Sequence, residues 1–285
     1  MGTAAAATPE SEDLGGTLLV SLGRMHDGGT FEVDPNTGVA TRQITRGVEG
    51  VYSPDGTRLA FSWAEPCTPD PESCYWLRDL RVAAADGTGE QVILPALDSG
   101  GEEAFVGHPD WTPNGRRIVF DSPNGLGWIK SDGHGYERLG GGSEPAVSPN
   151  GGQIAFLTVS GQSQVPDEPD PVDVHTMDLD TRTVIQRTNV GTAASAPDWS
   201  PDGSTIVYGG DDGLHTVDVA TGQDKVIEAA VNPRTPVFSP DGTAIAYLAS
   251  EPETGTCGLY VTDPAGAETR RISECTGTLT DWSAK

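Results

Sequence analysis

Basic residues are scarce in this 285-residue chain: 17 Lys and Arg stand against 42 Asp and Glu, for a formal net charge of −25. Binding to a phosphate backbone needs clustered Lys and Arg, so this balance excludes a nucleic-acid partner and opposes adsorption to anionic bilayers. No apolar run approaches the roughly 20 residues of a membrane-spanning helix, so this segment is not expected to insert into a membrane. Histidines number five and cysteines four, and the cysteine spacing is not the paired C-x2–4-C of structural zinc. Gly-x-Ser-x-Gly, Gly-x-x-x-x-Gly-Lys and His-Glu-x-x-His are all missing, which removes the usual signatures of α/β-hydrolases, phosphate-cradling loops and zinc proteases. Hydrophobic residues make up only 35%, low for a helical bundle but adequate where many short strands bury alternate residues.

What the sequence has is a repeat. Tyr52-Ser-Pro-Asp-Gly-Thr-Arg-Leu-Ala-Phe61 returns from Trp111 to Phe120, Val147 to Phe156, Trp199 to Tyr208 and Phe238 to Tyr247, and a sixth copy begins at Asp281-Trp282-Ser283. The shared Pro positions (Pro54, Pro113, Pro149, Pro201, Pro240) lie 36 to 59 residues apart, the blade length of a propeller with variable loops. In each unit a strand ends at an aromatic or Val, and Ser-Pro-Asp/Asn-Gly turns the chain. A β-branched and aromatic strand follows, and a third strand ends at an Asp-containing turn. Thr17 to Leu22, Phe31 to Asp34 and Ala40 to Thr45 supply three strands with no first strand before them, while Leu279 to Ser283 is a lone first strand. Joined, they make a sixth blade and leave no open edge. The expectation is an all-β fold: a six-bladed β-propeller of four-stranded antiparallel blades over residues 16–285, closed by both termini. The Ala-, Thr- and Glu-rich segment 1–15 is expected to be a disordered leader.

These repeats resemble the TolB-type WD40-like (PD40) propeller family, whose consensus is near Pro-x-Trp-Ser-Pro-Asp-Gly-x-x-Ile-x-Phe. His108-Pro-Asp-Trp-Thr-Pro and Ala196-Pro-Asp-Trp-Ser-Pro-Asp-Gly match it closely. The resemblance implies a propeller, and, by analogy with TolB, a role in the bacterial cell envelope through binding of partner proteins. The amino-terminal α/β domain of TolB is not seen here, nor is the hydrolase domain of prolyl oligopeptidase-like carriers of the repeat. Relatives also include propeller lyases with a His-rich metal site.

Four cysteines separate into pairs. Cys67 and Cys74 bracket a polar, Pro-rich loop. A hairpin centred on Gly266 sets Cys257 opposite Cys275, within disulfide reach. Disulfides Cys67–Cys74 and Cys257–Cys275 are expected, and with them an oxidising compartment: extracellular, periplasmic or envelope-tethered, with any export leader removed. Of the histidines, His175 and His215 read as packing residues and His134 as a turn residue, while His26 and His108 could approach the channel mouth.

The position before the blade aromatic reads Val51, Asp110, Ala146, Asp198, Val237, Asp281, so acids alternate with apolar residues around the axis. Facing the channel, Asp110, Asp198 and Asp281 could hold Ca²⁺ through oxygen ligands; otherwise they accept backbone hydrogen bonds from their own turns. The long insertions gather on one face and are acidic there: Asp70, Glu72, Glu102, Glu103, Glu144, Asp167, Glu168, Asp170 and Asp173 among others. Long loops on a rigid scaffold are where binding sites tend to lie, and an acidic rim draws cationic ligands. Trp63 and Trp76 flank the Cys67–Cys74 loop, either packed beneath it or forming an aromatic patch. The leading expectation is a non-enzymatic, monomeric propeller that binds a protein or peptide, a cationic one being favoured, through its acidic loops. The alternatives are a metal-dependent lyase or lactone hydrolase at the channel and a carbohydrate-binding module using Trp63 and Trp76.

Overall fold

A computed structural model describes residues 13–22, 28–63, 78–96, 105–161, 170–189, 194–251, 253–275 and 277–285. The expected leader falls almost wholly outside these residues, as do Cys67, Cys74 and His26. The described chain folds into 24 strands. β1 (Thr17–Leu22), β2 (Gly29–Val33) and β3 (Ala40–Thr45) come first. Blade one is β4 (Val48–Tyr52), β5 (Arg58–Trp63), β6 (Asp79–Ala84) and β7 (Gln91–Leu94). Blade two is β8 (Gly107–Trp111), β9 (Arg117–Ser122), β10 (Gly125–Lys130) and β11 (Glu137–Gly140). β12 (Ser143–Val147) to β15 (Val184–Gln186) form blade three through β13 (Gln153–Val159) and β14 (Val172–Asp178). Blade four runs from β16 (Ser195–Trp199) through β17 (Thr205–Gly210) and β18 (Gly213–Asp218) to β19 (Asp224–Glu228). Blade five comprises β20 (Val231–Phe238), β21 (Ile245–Ser250), β22 (Cys257–Thr262) and β23 (Thr269–Glu274), and β24 (Gly277–Ser283) ends the chain.

Every blade is a four-stranded antiparallel sheet, and the sixth has the order β24-β1-β2-β3. Thr17 pairs with Ser283 and Leu22 with Gly277, so the two ends of the chain share one sheet and the fold is the six-bladed propeller that the repeat predicts. Closure also joins cores: Trp282 and Leu279 of β24 pack with Leu18 and Val20 of β1 and with Val237 and Leu248 of blade five.

The repeat signature is a turn whose bonds are all local. In blade one the Ser53 hydroxyl donates to Asp55 Oδ1 at 2.7 Å and accepts the Arg58 N–H at 3.0 Å, while Asp55 Oδ1 also accepts the Thr57 N–H. Gly56 donates to the Ser53 carbonyl with φ of 66°, a left-handed conformation in which a Cβ would be strained. The same hydroxyl-to-Asp/Asn bond recurs at Thr112, Ser148, Ser200 and Ser239. The following strand carries Phe61, Phe120, Phe156, Tyr208 or Tyr247 inward, each essentially inaccessible to solvent. His175 and His215 pack against two of these rings, Phe156 and Tyr208, as their third-strand positions imply.

The outer hairpin of blade five differs from expectation in one detail. Gly258 pairs with Glu274 in the predicted register, but Tyr260 pairs with Arg271, one residue out, because a bulge follows Leu259. The bulge keeps the tight Asp263–Gly266 turn and still brings Cys257 and Cys275 together, with Cα atoms 5.2 Å apart and a disulfide between them.

Because Trp282 fills the core shared by the closing strand and blade five, Trp282→Ala should cost about 3–5 kcal/mol of unfolding free energy. Urea denaturation measures this; a loss below about 1 kcal/mol would mean that the ring is not closed through β24.

Candidate functional site at the central channel

Five of the six innermost strands carry Pro or Gly just where a central strand would not tolerate it: Gly50, Pro109, Pro145, Pro197 and Pro236. They lie on the inner edge of each sheet, where no further strand needs their N–H groups. One extra residue is inserted beside them in every blade. Gly107 pairs with Asp121 and Asp110 with Val119, three steps against two; β4, β12, β16 and β24 each slip by one residue as well, and β20 slips twice, the second time beside Pro236. The first bulged residue turns into left-handed backbone: Glu49 (φ 58°), His108 (45°), Glu144 (50°), Ala196 (29°) and Thr235 (46°). Such a conformation costs a non-Gly residue roughly 1–2 kcal/mol, and here it aims side chains at the axis. In β24 the inserted residue is Thr280, since Leu279 pairs with Val20 and packs in the core. Thr280, the five left-handed residues and the six at Val51, Asp110, Ala146, Asp198, Val237 and Asp281 all line one cavity of about 1020 Å³ along the propeller axis.

The deeper ring explains the alternation read in the sequence. Asp110 accepts the N–H of its own neighbour Trp111 at 2.7 Å and, with its other oxygen, the N–H of Val147 in blade three at 2.6 Å. Asp198 accepts from Phe238 of blade five and Asp281 from Tyr52 of blade one. The donor therefore belongs to the next blade, not only to the acid's own segment. The adjoining tryptophan reaches the other way, Trp111 Nε1 donating to the Val51 carbonyl of blade one and Trp199 Nε1 to the Ala146 carbonyl of blade three. In blade six the indole instead holds the Gly15 carbonyl. An Asp-Trp pair on every second blade thus bonds forward through the carboxylate and, in blades two and four, backward through the indole.

Burial drives all three carboxyls upward against the pull of these N–H bonds. Asp110 is raised to about 8, with Asp198 and Asp281 adding repulsion, Asp198 to about 7 and Asp281 to about 6.

The outer ring is charged on one side only. Glu49 Oε1 meets Arg78 at 2.8 Å, and its other oxygen accepts the His108 N–H and the Ser62 hydroxyl. His108 Nδ1 lies 3.0 Å from Asp121 Oδ2, which also accepts the Glu144 N–H. Glu144 in turn accepts the Ala196 N–H at 2.9 Å. Burial opposes an imidazolium at His108, but Glu49 and Asp121 outweigh it and push the group up to about 10. For Glu49 and Asp121 burial acts upward, yet His108 and Arg78 hold both below the usual carboxylate range. His108 is 45% exposed to the channel, and with Nδ1 engaged by Asp121 its Nε2–H is the donor left for a ligand. Blades four to six offer Ala196, Thr235 and Thr280 opposite.

Of the residues singled out in the sequence, Asp110, Asp198 and Asp281 converge on the cavity and His108 lines it. Asp70, Glu72, Glu102, Glu103, Asp167, Glu168 and Trp76 lie outside the described residues. Asp170 is exposed, whereas Asp173, counted with the acidic rim, is 1% exposed beneath it and bonded to Thr188. Trp63 is half-buried and packs on blade one with Arg81 4.7 Å over its ring. Glu49, Arg78 and Asp121 had no motif of their own. Aligning the repeats at the third residue before the blade aromatic would have found Glu49, and placed His108 and Glu144 beside it in one ring.

The channel and its closure define a six-bladed propeller of the kind found in TolB. No family model matches the chain. A crystal structure of TolB from Acinetobacter baumannii superposes with a TM-score of 0.69 at 16% identity, over 95% of this chain and 67% of that one. The laminin–nidogen complex contains a chain of similar fold (TM-score 0.64, 13% identity, 93% and 96% covered), and an oligogalacturonate lyase in complex with manganese is more distant (0.57, 11%, 92% and 74%). By sequence, 85 residues, 28% of this chain, are 35% identical to the Tol-Pal system protein TolB of Francisella tularensis, of which they cover 19%. A stretch of 113 residues, 35% of the chain, is 32% identical to an uncharacterized protein of Agrobacterium fabrum and covers 38% of it. The chain spans well under half the length of these curated relatives.

The raised carboxyls give a pH test. A folded state that holds protons on Asp110 from about pH 4 to about pH 8, where the unfolded chain has lost them, loses that stability as pH rises. Asp110→Asn removes one acceptor and should cost about 1–3 kcal/mol at pH 5. The penalty should shrink by at least about 1 kcal/mol at pH 9, where the native chain carries the ionised acid. Guanidinium denaturation at the two pH values decides; a penalty that grows with pH would show the acids ionised throughout.

Proposed function

We infer that the chain is an exported or envelope-associated propeller that binds a protein or peptide partner at its loop-bearing face, around the mouth of the central channel. The observation that carries this reading is the half-charged outer ring at the mouth of a cavity of about 1020 Å³. Glu49, His108 and Glu144 present acceptors and an imidazolium donor on one side, and Ala196, Thr235 and Thr280 present a smaller, uncharged surface on the other. A peptide segment with a polar and an apolar edge satisfies both sides. The resemblance to the propeller of TolB supports a protein ligand, and the Cys257–Cys275 disulfide supports an oxidising location. The acidity of the loop residues Asp70, Glu72, Glu102, Glu103, Asp167, Glu168 and Asp170 favours a partner that carries basic residues.

The test is affinity capture from the native envelope or secreted fraction, with identification of bound proteins and measurement of affinity for each. Lys at Asp167, Glu168 and Asp170 together should weaken capture of the specific partner at least fivefold and reduce its salt dependence. His108→Ala should weaken it about tenfold, the loss of one charge-assisted hydrogen bond. Retention by both variants would remove the loop face and the mouth as the site.

A second reading, a Ca²⁺-dependent lyase or lactone hydrolase, rests on Asp110, Asp198 and Asp281 lining one cavity, although among the described residues no three acids, His or Cys are grouped closely enough to hold a metal ion. Two backbone N–H groups already occupy each of these carboxylates, so a divalent ion there would have to displace the seam bonds or share their oxygens. Elemental analysis of the purified native protein, with Asp198→Asn as control, separates the two readings: a stoichiometric metal lost in the variant supports the enzyme.

A further inference from the structure

Cys257 opens β22 and Cys275 follows β23, and the Cys275 N–H donates to the Cys257 carbonyl at 3.1 Å beside the disulfide. Both cysteines are half-buried against the core of blades five and six. Arg234, exposed on the inner strand β20 of the same blade, reaches across to them. Its Nη2 lies 3.0 Å from Cys257 Sγ and 3.8 Å from Cys275 Sγ. A guanidinium at hydrogen-bond distance stabilises a thiolate, and this one is nearer to one sulfur than to the other. In exchange, the sulfur that departs best is the one whose thiolate is best stabilised, and the incoming thiol bonds to its partner.

We propose that the Cys257–Cys275 disulfide is a thiol-exchange site for a small thiol of the glutathione class, with Cys275 the sulfur attacked and Cys257 the leaving thiolate held by Arg234. The incoming thiolate forms a bond to Cys275 Sγ as the Sγ–Sγ bond breaks, and that bond's electron pair departs on Cys257. A second thiolate then attacks the adduct's outer sulfur, releasing Cys275. Two thiols are oxidised to one small-molecule disulfide, and one protein disulfide is reduced to two thiols, which take up the two protons lost by the reagents. This reaction does not depend on the partner-binding role.

The folded, full-length protein is incubated with glutathione, quenched by alkylation and mapped by mass spectrometry. Trypsin cuts after Arg270 and Arg271, so the two cysteines report on separate peptides. The glutathione adduct is expected on Cys275, about tenfold over Cys257, and Arg234→Gln should slow the opening about three- to tenfold while Arg234→Lys retains most of the rate. An adduct mainly on Cys257, no adduct in the folded chain, or an unchanged rate in Arg234→Gln would each overturn the proposal. The adduct position in the unaltered chain decides even if the Arg234 variant fails to fold.

Discussion

Everything in this ring depends on three carboxyl groups set into the seams between blades. A buried acid with unpaired oxygens would cost several kcal/mol. Asp110, Asp198 and Asp281 avoid that penalty by accepting the N–H of the residue that follows and the N–H of a strand in the neighbouring blade. Each acid thereby fixes the depth at which two sheets meet. The paired indoles of Trp111 and Trp199 set the intervening seams from the opposite direction, using the carbonyls of Val51 and Ala146. Blades that lack the pair contribute Val51, Ala146 or Val237, small enough to leave the axis open.

That open axis makes a site affordable. The bulge in every inner strand costs local backbone energy, and the ring of seams supplies the rigidity that keeps it. The bulged residues then differ by blade without disturbing the fold, because they face the channel and not a core. In blades one to three they carry charge, tied together through Asp121 and Arg78; in blades four to six they are small or apolar. A scaffold of nearly equal parts thus presents an unequal surface, and recognition belongs to that inequality, not to the repeat.

Much of the fold was legible because its causes are local. Ser-Pro-Asp/Asn-Gly encodes a turn within four residues, the aromatic after it marks a buried strand, and counting copies leaves one strand at one end to complete three at the other. The alternation of Asp110, Asp198 and Asp281 was equally visible, but its purpose was not. The N–H that Asp281 accepts belongs to Tyr52, and no spacing rule links residues so far apart in sequence. His108 was legible as a channel candidate because it adjoins the first strand of its blade. Glu49 was not, since a Gly follows it where its counterparts have Pro. Arg78 joins the site from just before β6, the third strand of its own blade, through a contact that only the folded arrangement creates. The cysteine pair was legible by counting from Gly266, although the true hairpin reaches the same pairing through a bulge that the count did not contain.

The even-and-odd pattern of seams has a mechanical meaning. Three joints rest on acids that titrate near neutrality and two of the others on indoles that never do, so alkali acts on only half of the circle. As the acids ionise, repulsion grows between three points spaced evenly around the axis, while each carboxylate grips its own two N–H groups more tightly. The strain then falls on three couples of blades and not on six separate petals, pressing outward symmetrically about the bore while every joint keeps its bonds.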